Sequence, residues 1–595
     1  MRGLLNSDTD SNRVKLGEML EKIRQYFIFG DSAVKLYGLA ILTGLLASLV
    51  IIALRLFIDS GQILIFPTAK IEDFANLPWQ WVLGLPIAGG LLIGLLLYGL
   101  KPEERNTGVV HVIERLSSHQ GRLPWQNALR QFFGAGIALI TGHSVGREGP
   151  SVHLGAASGS QLATLLELPN NSVRILVACG AAAAIAASFN TPVAGVIFAM
   201  EVIMMEYHIA SFIPIILSSV TGAVLSRLTF GESAIFANLS ADMQSLWEIP
   251  YIVLMGIVIG GLATLFLRSL SFFSGLFLKH PFWLRTTYAG ILVGLTGLLV
   301  PEVMGMSYSI ISGISTNEAA LSALIVLMML KLVLSTACVG FGIPAGLIGP
   351  TLVVGACAGA ALGILGSAVF PDQSSTMTFY AVIGMCAMMG ATLKAPLAAL
   401  LAMLELTGNP NIILPGMLAI VFASLINHEY FKQDPLFMKL LRTRGLDYRH
   451  DPITQTLRRI SVANAMQRNF IIMSQQVSTQ AAVHALESNP DWVLIKNEKE
   501  AVALMPAGDL ARAVSTEEGE EIDLMQIPAN RRNVHKISLH TSLREAVEVL
   551  NQNDVEALYV TRMTAPLIER TYGILTRETI ESHYQLPYAV TSKHQ

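Results

Sequence analysis

A glutamate stands directly before a Gly-Pro pair in GREGP (Gly146 to Pro150), and 200 residues later the chain reads GLIGP (Gly346 to Pro350). Glycine permits close backbone approach and proline presets φ for the first helical turn, so each segment predicts a helix start. The unpaired N–H groups of a first turn carry partial positive charge and attract anions. Apolar surroundings leave that field less screened. An ionised Glu148 would itself occupy the anion position, and a protonated one would lose that attraction. This is the chemistry of an anion gate that responds to pH. The plainer alternative is a glutamate that caps a helix at a loop.

The elements that must position such a site are themselves repeated. Gly149, Pro150, Ser151, Val152, Gly155, Ala156 and Gly159 correspond to Gly349, Pro350, Thr351, Leu352, Gly355, Ala356 and Gly359. PVAGVIFAME (Pro192 to Glu201) is echoed by PLAALLAMLE (Pro396 to Glu405). Two membrane halves from one ancestral unit, each with a Gly-Pro helix start, is how many transporters build an ion site. Composition agrees, since 52% of the 595 residues are hydrophobic, 14% are charged and the mean hydropathy is +0.53. The runs Leu36 to Ile58, Trp81 to Leu100, Ile252 to Phe266 and Ala319 to Leu334 approach or exceed the length of a bilayer span. Shorter runs broken by Gly and Pro predict tilted or partial helices buried in protein.

The expected organisation is a polar cytoplasmic leader over 1–32, a membrane domain over 33–445, a charged linker over 446–459, and a soluble tail. The tail repeats internally: Ser478 to Ile495 aligns with Ser542 to Val560, each a helix followed by a β-rich run. A second strand and helix begin at Ala503 and again at Gly573. A net charge of −3 without a basic stripe argues against a nucleic-acid partner. Cys179, Cys338, Cys357 and Cys386 lie in apolar segments without ligand spacing and read as packing residues. His143, Glu148 and His153 are five apart, which puts successive residues on different helix faces and argues against a metal. Lys331 and Lys394 read as snorkelling side chains rather than pathway charges, and Glu405 as a helix-end residue.

GREGP, GIPAGLIGP (Gly342 to Pro350) and FNTPVAG (Phe189 to Gly195) together resemble the CLC family of chloride channels and chloride/proton exchangers, across most of 30–445. The resemblance implies an all-α polytopic domain of two inverted repeats, a homodimer with one pore per subunit, and Glu148 as the external gate. It implies anion contacts from Thr107, Gly146, Arg147, Gly149, Gly346, Leu347 and Ile348. Three departures stand out. NTGVV (Asn106 to Val110) lacks the family's helix-starting proline, Phe437 replaces the inner-gate tyrosine, and Val202 replaces an inner proton-relay glutamate. Valine cannot relay a proton, so Val202 and Phe437 favour passive chloride conduction; the alternative is a chloride/proton antiporter in which Glu206 or water substitutes for the relay.

The tail resembles a tandem pair of CBS domains, a small α/β fold, over 460–515 and 528–590. Each copy holds half of the family's ribose-binding motif, Asp509 in the first and Thr576 in the second. ATP or AMP is the implied ligand, with no cofactor required for transport; a dimerisation module is the alternative. A nucleotide-sensing membrane protein without ion transport is the different-class reading. The intramembrane signal lies at helix N-termini, which disfavours a cation route, and neither a nucleophile-base pair nor an HExxH motif supports an enzyme. A multi-pass protein of a bacterial inner membrane, both termini cytoplasmic, is the expected setting.

Overall fold

In the computed structural model, residues 33–585 are described apart from 67–70, 232–241, 315–319, 370, 372–373, 444–456, 458–459, 498–499, 517–520, 540 and 566–567. The leader and nearly all of the linker therefore lie outside the described residues. The chain divides into two compact units, residues 1–168 with 172–448 and residues 449–595 with 169–171.

Among the described residues the regular elements of the first unit are all helices, and eight of these are long and apolar enough to cross a membrane. Together with the family assignment given below, they make this an integral, multi-pass membrane protein. The runs Leu36 to Ile58 and Ile252 to Phe266 lie within helices Ala33–Ile65 and Ile249–Gly275, and helices Trp79–Leu96 and Leu321–Gly340 hold most of the other two, the first ending short of Leu100. Others are too short to span, notably Gly108–Ser118, Pro192–Phe198 and Pro396–Thr407. Their ends are satisfied inside protein, which lets broken helices exist at membrane depth.

Repeat symmetry is visible bond by bond. In the loop before each Gly-Pro start, His143 N–H reaches Ala138 O at 2.9 Å while Ile343 N–H reaches Cys338 O at 3.0 Å. Gly142 and Gly342 occupy the left-handed region at φ +82° and +104°, where a side chain would strain the turn. Gly146 and Gly346 then exchange N–H···O bonds of 2.8 Å each way, an isolated antiparallel bridge that stitches the two repeats together. From this bridge run the helices Glu148–Leu165 and Ile348–Val369.

A second reciprocal contact lies between the later segments. Glu201 accepts from Ala398 N–H at 2.8 Å, at the start of the Pro396 helix. Glu405 accepts from Ala194 N–H at 2.8 Å and Val193 N–H at 3.0 Å, at the start of the Pro192 helix. Each carboxylate neutralises orphan donors of the opposite repeat. Glu405 is thus a helix-end residue, and Glu201 is its mirror.

The second unit holds a six-stranded sheet in the order β1-β3-β4-β6-β7-β8 and a two-stranded ribbon, β2-β5. The strands are β1 Phe470–Ser474, β2 Gln476–Ser478, β3 Trp492–Lys496, β4 Ala501–Pro506, β5 Glu521–Asp523, β6 Arg532–Ser538, β7 Ala557–Ala565 and β8 Ile568–Thr576. β1 runs parallel to β3 and β6 parallel to β7, while β3-β4 and β7-β8 are antiparallel. Helices Thr479–Leu486 and Leu543–Gln552 precede β3 and β7, and Ala507–Thr516 and Arg577–Gln585 follow β4 and β8. This is a small α/β unit with an internal repeat.

Candidate functional site

Glu148 is fully buried at the first position of its helix. Its carboxylate does not cap that helix; it reaches across to the other repeat, where Oε2 accepts the Gly349 N–H at 3.1 Å. Oε1 accepts the Tyr308 hydroxyl. An acid from one Gly-Pro start therefore occupies the first turn of the other, where an anion would otherwise bind.

Glycine makes the seat. A Cβ on Gly146 would lie 2.1 Å from Glu148 Oε2, and one on Gly349 would lie 2.8 Å from the Tyr308 hydroxyl and 3.0 Å from Glu148 Oε1. Tyr308 opens the helix Tyr308–Ile314 and follows a loop held from two sides. Lys331 Nζ donates to Gly305 O at 2.7 Å, Ser307 Oγ at 2.8 Å and Val303 O at 3.3 Å. Glu72 accepts the Met306 N–H at 2.5 Å. Lys331 is completely enclosed by protein and does not snorkel, because backbone oxygens of this loop provide its solvation. Lys394 is exposed at the left-handed end of the Met377–Leu393 helix.

Below the seat lies a cavity of about 570 Å³, lined by Thr107, Gly149, Gly346, Leu347, Ile348 and Phe437 among others. Thr107 caps the Gly108–Ser118 helix by position, without a side-chain bond to it. Gln131 holds the start of that helix: its Oε1 accepts Gly108 N–H at 2.6 Å and its Nε2 donates to Pro344 O at 2.6 Å. The Leu347 and Ile348 amides begin the Ile348 helix and have no protein acceptor among the described residues. Phe437 lines the cavity with only 8% of its surface exposed.

Two expected anion contacts need correction. The Gly146 and Gly346 amides are consumed by their mutual bridge and have no N–H left to offer. The Arg147 guanidinium is engaged elsewhere: its Nη2 donates to Ser188 O at 2.9 Å, and it lines a separate crevice with Arg55 and Phe230, so only its backbone N–H is left for the expected contact. The sequence reading missed Tyr308, Lys331, Glu72 and Gln131 as members of the site. Only Lys331 carried a signal, a cation in an apolar run.

The remaining candidates fall elsewhere. Val202 is buried in a π-helical turn, Ala199–Met204, and Glu206 pairs with Arg174 at 3.7 Å. His143 bonds Thr141 at 3.1 Å and His153 bonds His111 at 3.0 Å; among the described residues no group of three metal-ligating side chains occurs. In the tail, Asp509 accepts from Arg512 at 2.8 Å and from Asn530 N–H at 2.9 Å, while Thr576 and Thr579 share a 3.0 Å hydroxyl contact.

A family model described as voltage gated chloride channel matches residues 89–428, more than half of the chain. The chain belongs to this family. A putative chloride channel protein, ClcB-like, from Ralstonia nicotianae is 34% identical over 359 residues, 59% of this chain and 83% of the relative. The H(+)/Cl(−) exchange transporter ClcA of Vibrio cholerae is 28% identical over 438 residues, 70% of this chain and 92% of the relative. A slow cyanobacterial Cl−/H+ antiporter superposes with a TM-score of 0.62 at 23% identity, covering 70% of this chain and 98% of that structure. A eukaryotic CLC transporter covers 92% of this chain and 98% of that structure, with a TM-score of 0.59 at 19% identity. At these identities the two structures speak for the fold alone, and the fold is that of the CLC family.

Proposed function

We propose that the membrane unit exchanges chloride for protons, with Glu148 as the group that both blocks the anion path and carries the proton. The observation that carries this reading is the Glu148 carboxylate on the Gly349 N–H, an anion surrogate seated at the opposing helix start. Protonation removes its charge, weakens that contact and frees the seat for chloride. Thr107 and the Leu347 and Ile348 amides then offer donors to the ion in the cavity below. Exchange takes precedence over the passive conduction that Val202 and Phe437 favour, because the Vibrio cholerae relative is named as an exchanger. Val202 then leaves the inner proton step to water or to Glu206. Conduction without protons keeps support from the same two residues and from the Ralstonia relative named as a channel.

The test is Glu148→Ala in liposomes. Chloride flux that persists, loses its proton component and no longer responds to pH is the expected result. Unchanged coupling and pH dependence would remove Glu148 from the role. A sensor without transport predicts no chloride flux from either protein.

For the tail we propose a CBS pair that binds ATP or AMP, with Asp509 and Thr576 on the ribose. Both side chains already have internal partners, so binding requires exchange of those contacts. Titration of the full-length protein with each nucleotide, beside Asp509→Ala and Thr576→Ala, tests it: weakened binding supports the assignment, and no binding to the parent protein ends it. A homodimer in a bacterial inner membrane completes the reading, checked by the mass of the purified protein in detergent.

A further inference from the structure

The loop that presents Tyr308 to Glu148 is built against its own preferences. Gly305 and Ser307 both take left-handed backbone, at φ +65° and +63°, and for serine that conformation is costly. Such a loop persists only where its surroundings hold it. Two charged side chains do so. Lys331 directs all three ammonium protons at it, to Gly305 O at 2.7 Å, Ser307 Oγ at 2.8 Å and Val303 O at 3.3 Å. Three acceptors require three donors, so this amine is in its charged form. Glu72 grips the same loop through the amide between them, Met306 N–H at 2.5 Å. Its carboxylate lies across the turn, where a Cβ on Gly305 would be 2.6 Å from Oε1.

Glu72 comes from the connection between the spanning helices Ala33–Ile65 and Trp79–Leu96. Gln62 fixes it there: its Oε1 accepts the Glu72 N–H at 3.1 Å, and its Nε2 donates to Leu139 O at 3.0 Å. Glu72 and Glu148 both lie within electrostatic reach of Lys331, so one buried cation serves two acids. Arg147 adds positive charge near Glu72 and Tyr308, and Cys338 and Cys357 also lie close to Lys331.

We propose that Glu72 and Lys331 are positioning residues for the gate, clamping the 303–307 loop so that the Tyr308 hydroxyl stays on the Glu148 carboxylate. This rests on Glu148 as the gate, and it adds two residues that act through Tyr308 rather than on the ion. The competing account is action through space, and the two differ in sign at Glu72. Removing a negative charge near Glu148 favours its ionised form and closes the gate more firmly. Releasing the loop withdraws the Tyr308 donor and favours the protonated, open form.

The experiment records chloride flux against pH in liposomes for the parent, Tyr308→Phe, Glu72→Ala and the double variant. Glu72→Ala should begin acid activation at a higher pH and raise flux at neutral pH by roughly three- to tenfold, no more than Tyr308→Phe does. The double variant should match Tyr308→Phe alone, because the clamp acts through that hydroxyl. Glu72→Gln keeps an acceptor for the Met306 N–H and should fall between parent and Glu72→Ala. Where loss of one charge prevents folding, Glu72→Gln combined with Lys331→Met removes both together and should give the same upward shift. A downward shift in Glu72→Ala, no shift at all, or a double variant that sums the two effects overturns the proposal. Failure of the gate reading looks different: Glu148→Ala and Tyr308→Phe then leave the pH profile of the parent unchanged, and the positioning role falls with it.

Discussion

The two Gly-Pro helix starts share a loop geometry, a left-handed glycine and a mutual backbone bridge, yet they do opposite things. The Glu148 end contributes the acid, and the Ile348 end contributes the amides that receive it. Symmetry sets the distance between them, and one side chain breaks the symmetry. Ile348 occupies the position of Glu148 in the other repeat, and an apolar side chain there leaves its own first turn open to a guest. By contrast, the Glu201 and Glu405 pair stays symmetric, each acid closing the other's helix, and neither end is left for an ion. A repeat protein thus makes a site where the repeats diverge and a brace where they agree.

Substitutions that separate the two ends should show effects in descending order. The largest is Glu148→Ala, which should abolish proton coupling while leaving chloride flux, as read in liposomes. Next come the two bridge glycines, equivalent by sequence but not by surroundings. Gly146→Ala meets the movable Glu148 carboxylate at 2.1 Å and should unseat it, raising chloride flux at neutral pH with little change in thermal stability. Gly346→Ala meets the Gly149 backbone N at 2.7 Å and should instead destabilise the protein by about 1–3 kcal/mol, measured by thermal unfolding in detergent. If both glycines gave the same phenotype, the division of labour would be wrong.

Tyr308→Phe sharpens the comparison further. Its hydroxyl bonds a carboxylate, an interaction of roughly 1.5–3 kcal/mol. Loss of that donor favours the neutral, released acid. Acid activation of chloride flux should therefore begin at a higher pH, and flux at neutral pH should rise by about tenfold, a change a purely structural role would not produce. The smallest effect belongs to the brace: Glu201→Gln and Glu405→Gln should each cost about 1 kcal/mol of stability, as lost helix caps do, with coupling unchanged.

These contrasts also mark what the sequence discloses. Helix starts, spans and the repeat are local or periodic signals, so GREGP, GLIGP and the Pro-to-Glu spacing are legible without coordinates. The partner of Glu148 is not, because Tyr308 lies 160 residues away in a stretch with no motif of its own. Gln131 is hidden for the same reason: its two contacts, to Gly108 and Pro344, are made across the fold. Lys331 did carry a signal, a cation in an apolar run, but snorkelling and full burial give the same sequence pattern. Only the carbonyls of the 303–307 loop distinguish them. The anion contacts at Gly146 and Gly346 failed because a motif names residues and says nothing of amides already bonded to each other.

The most direct test imposes a chloride gradient on liposomes containing the purified protein, clamps the membrane potential independently, and records proton movement. Exchange through Glu148 predicts protons driven uphill by chloride, and no such movement in Glu148→Ala. Chloride flux with protons remaining at rest in the parent protein would contradict exchange and return Val202 and Phe437 to the centre of a passive pore.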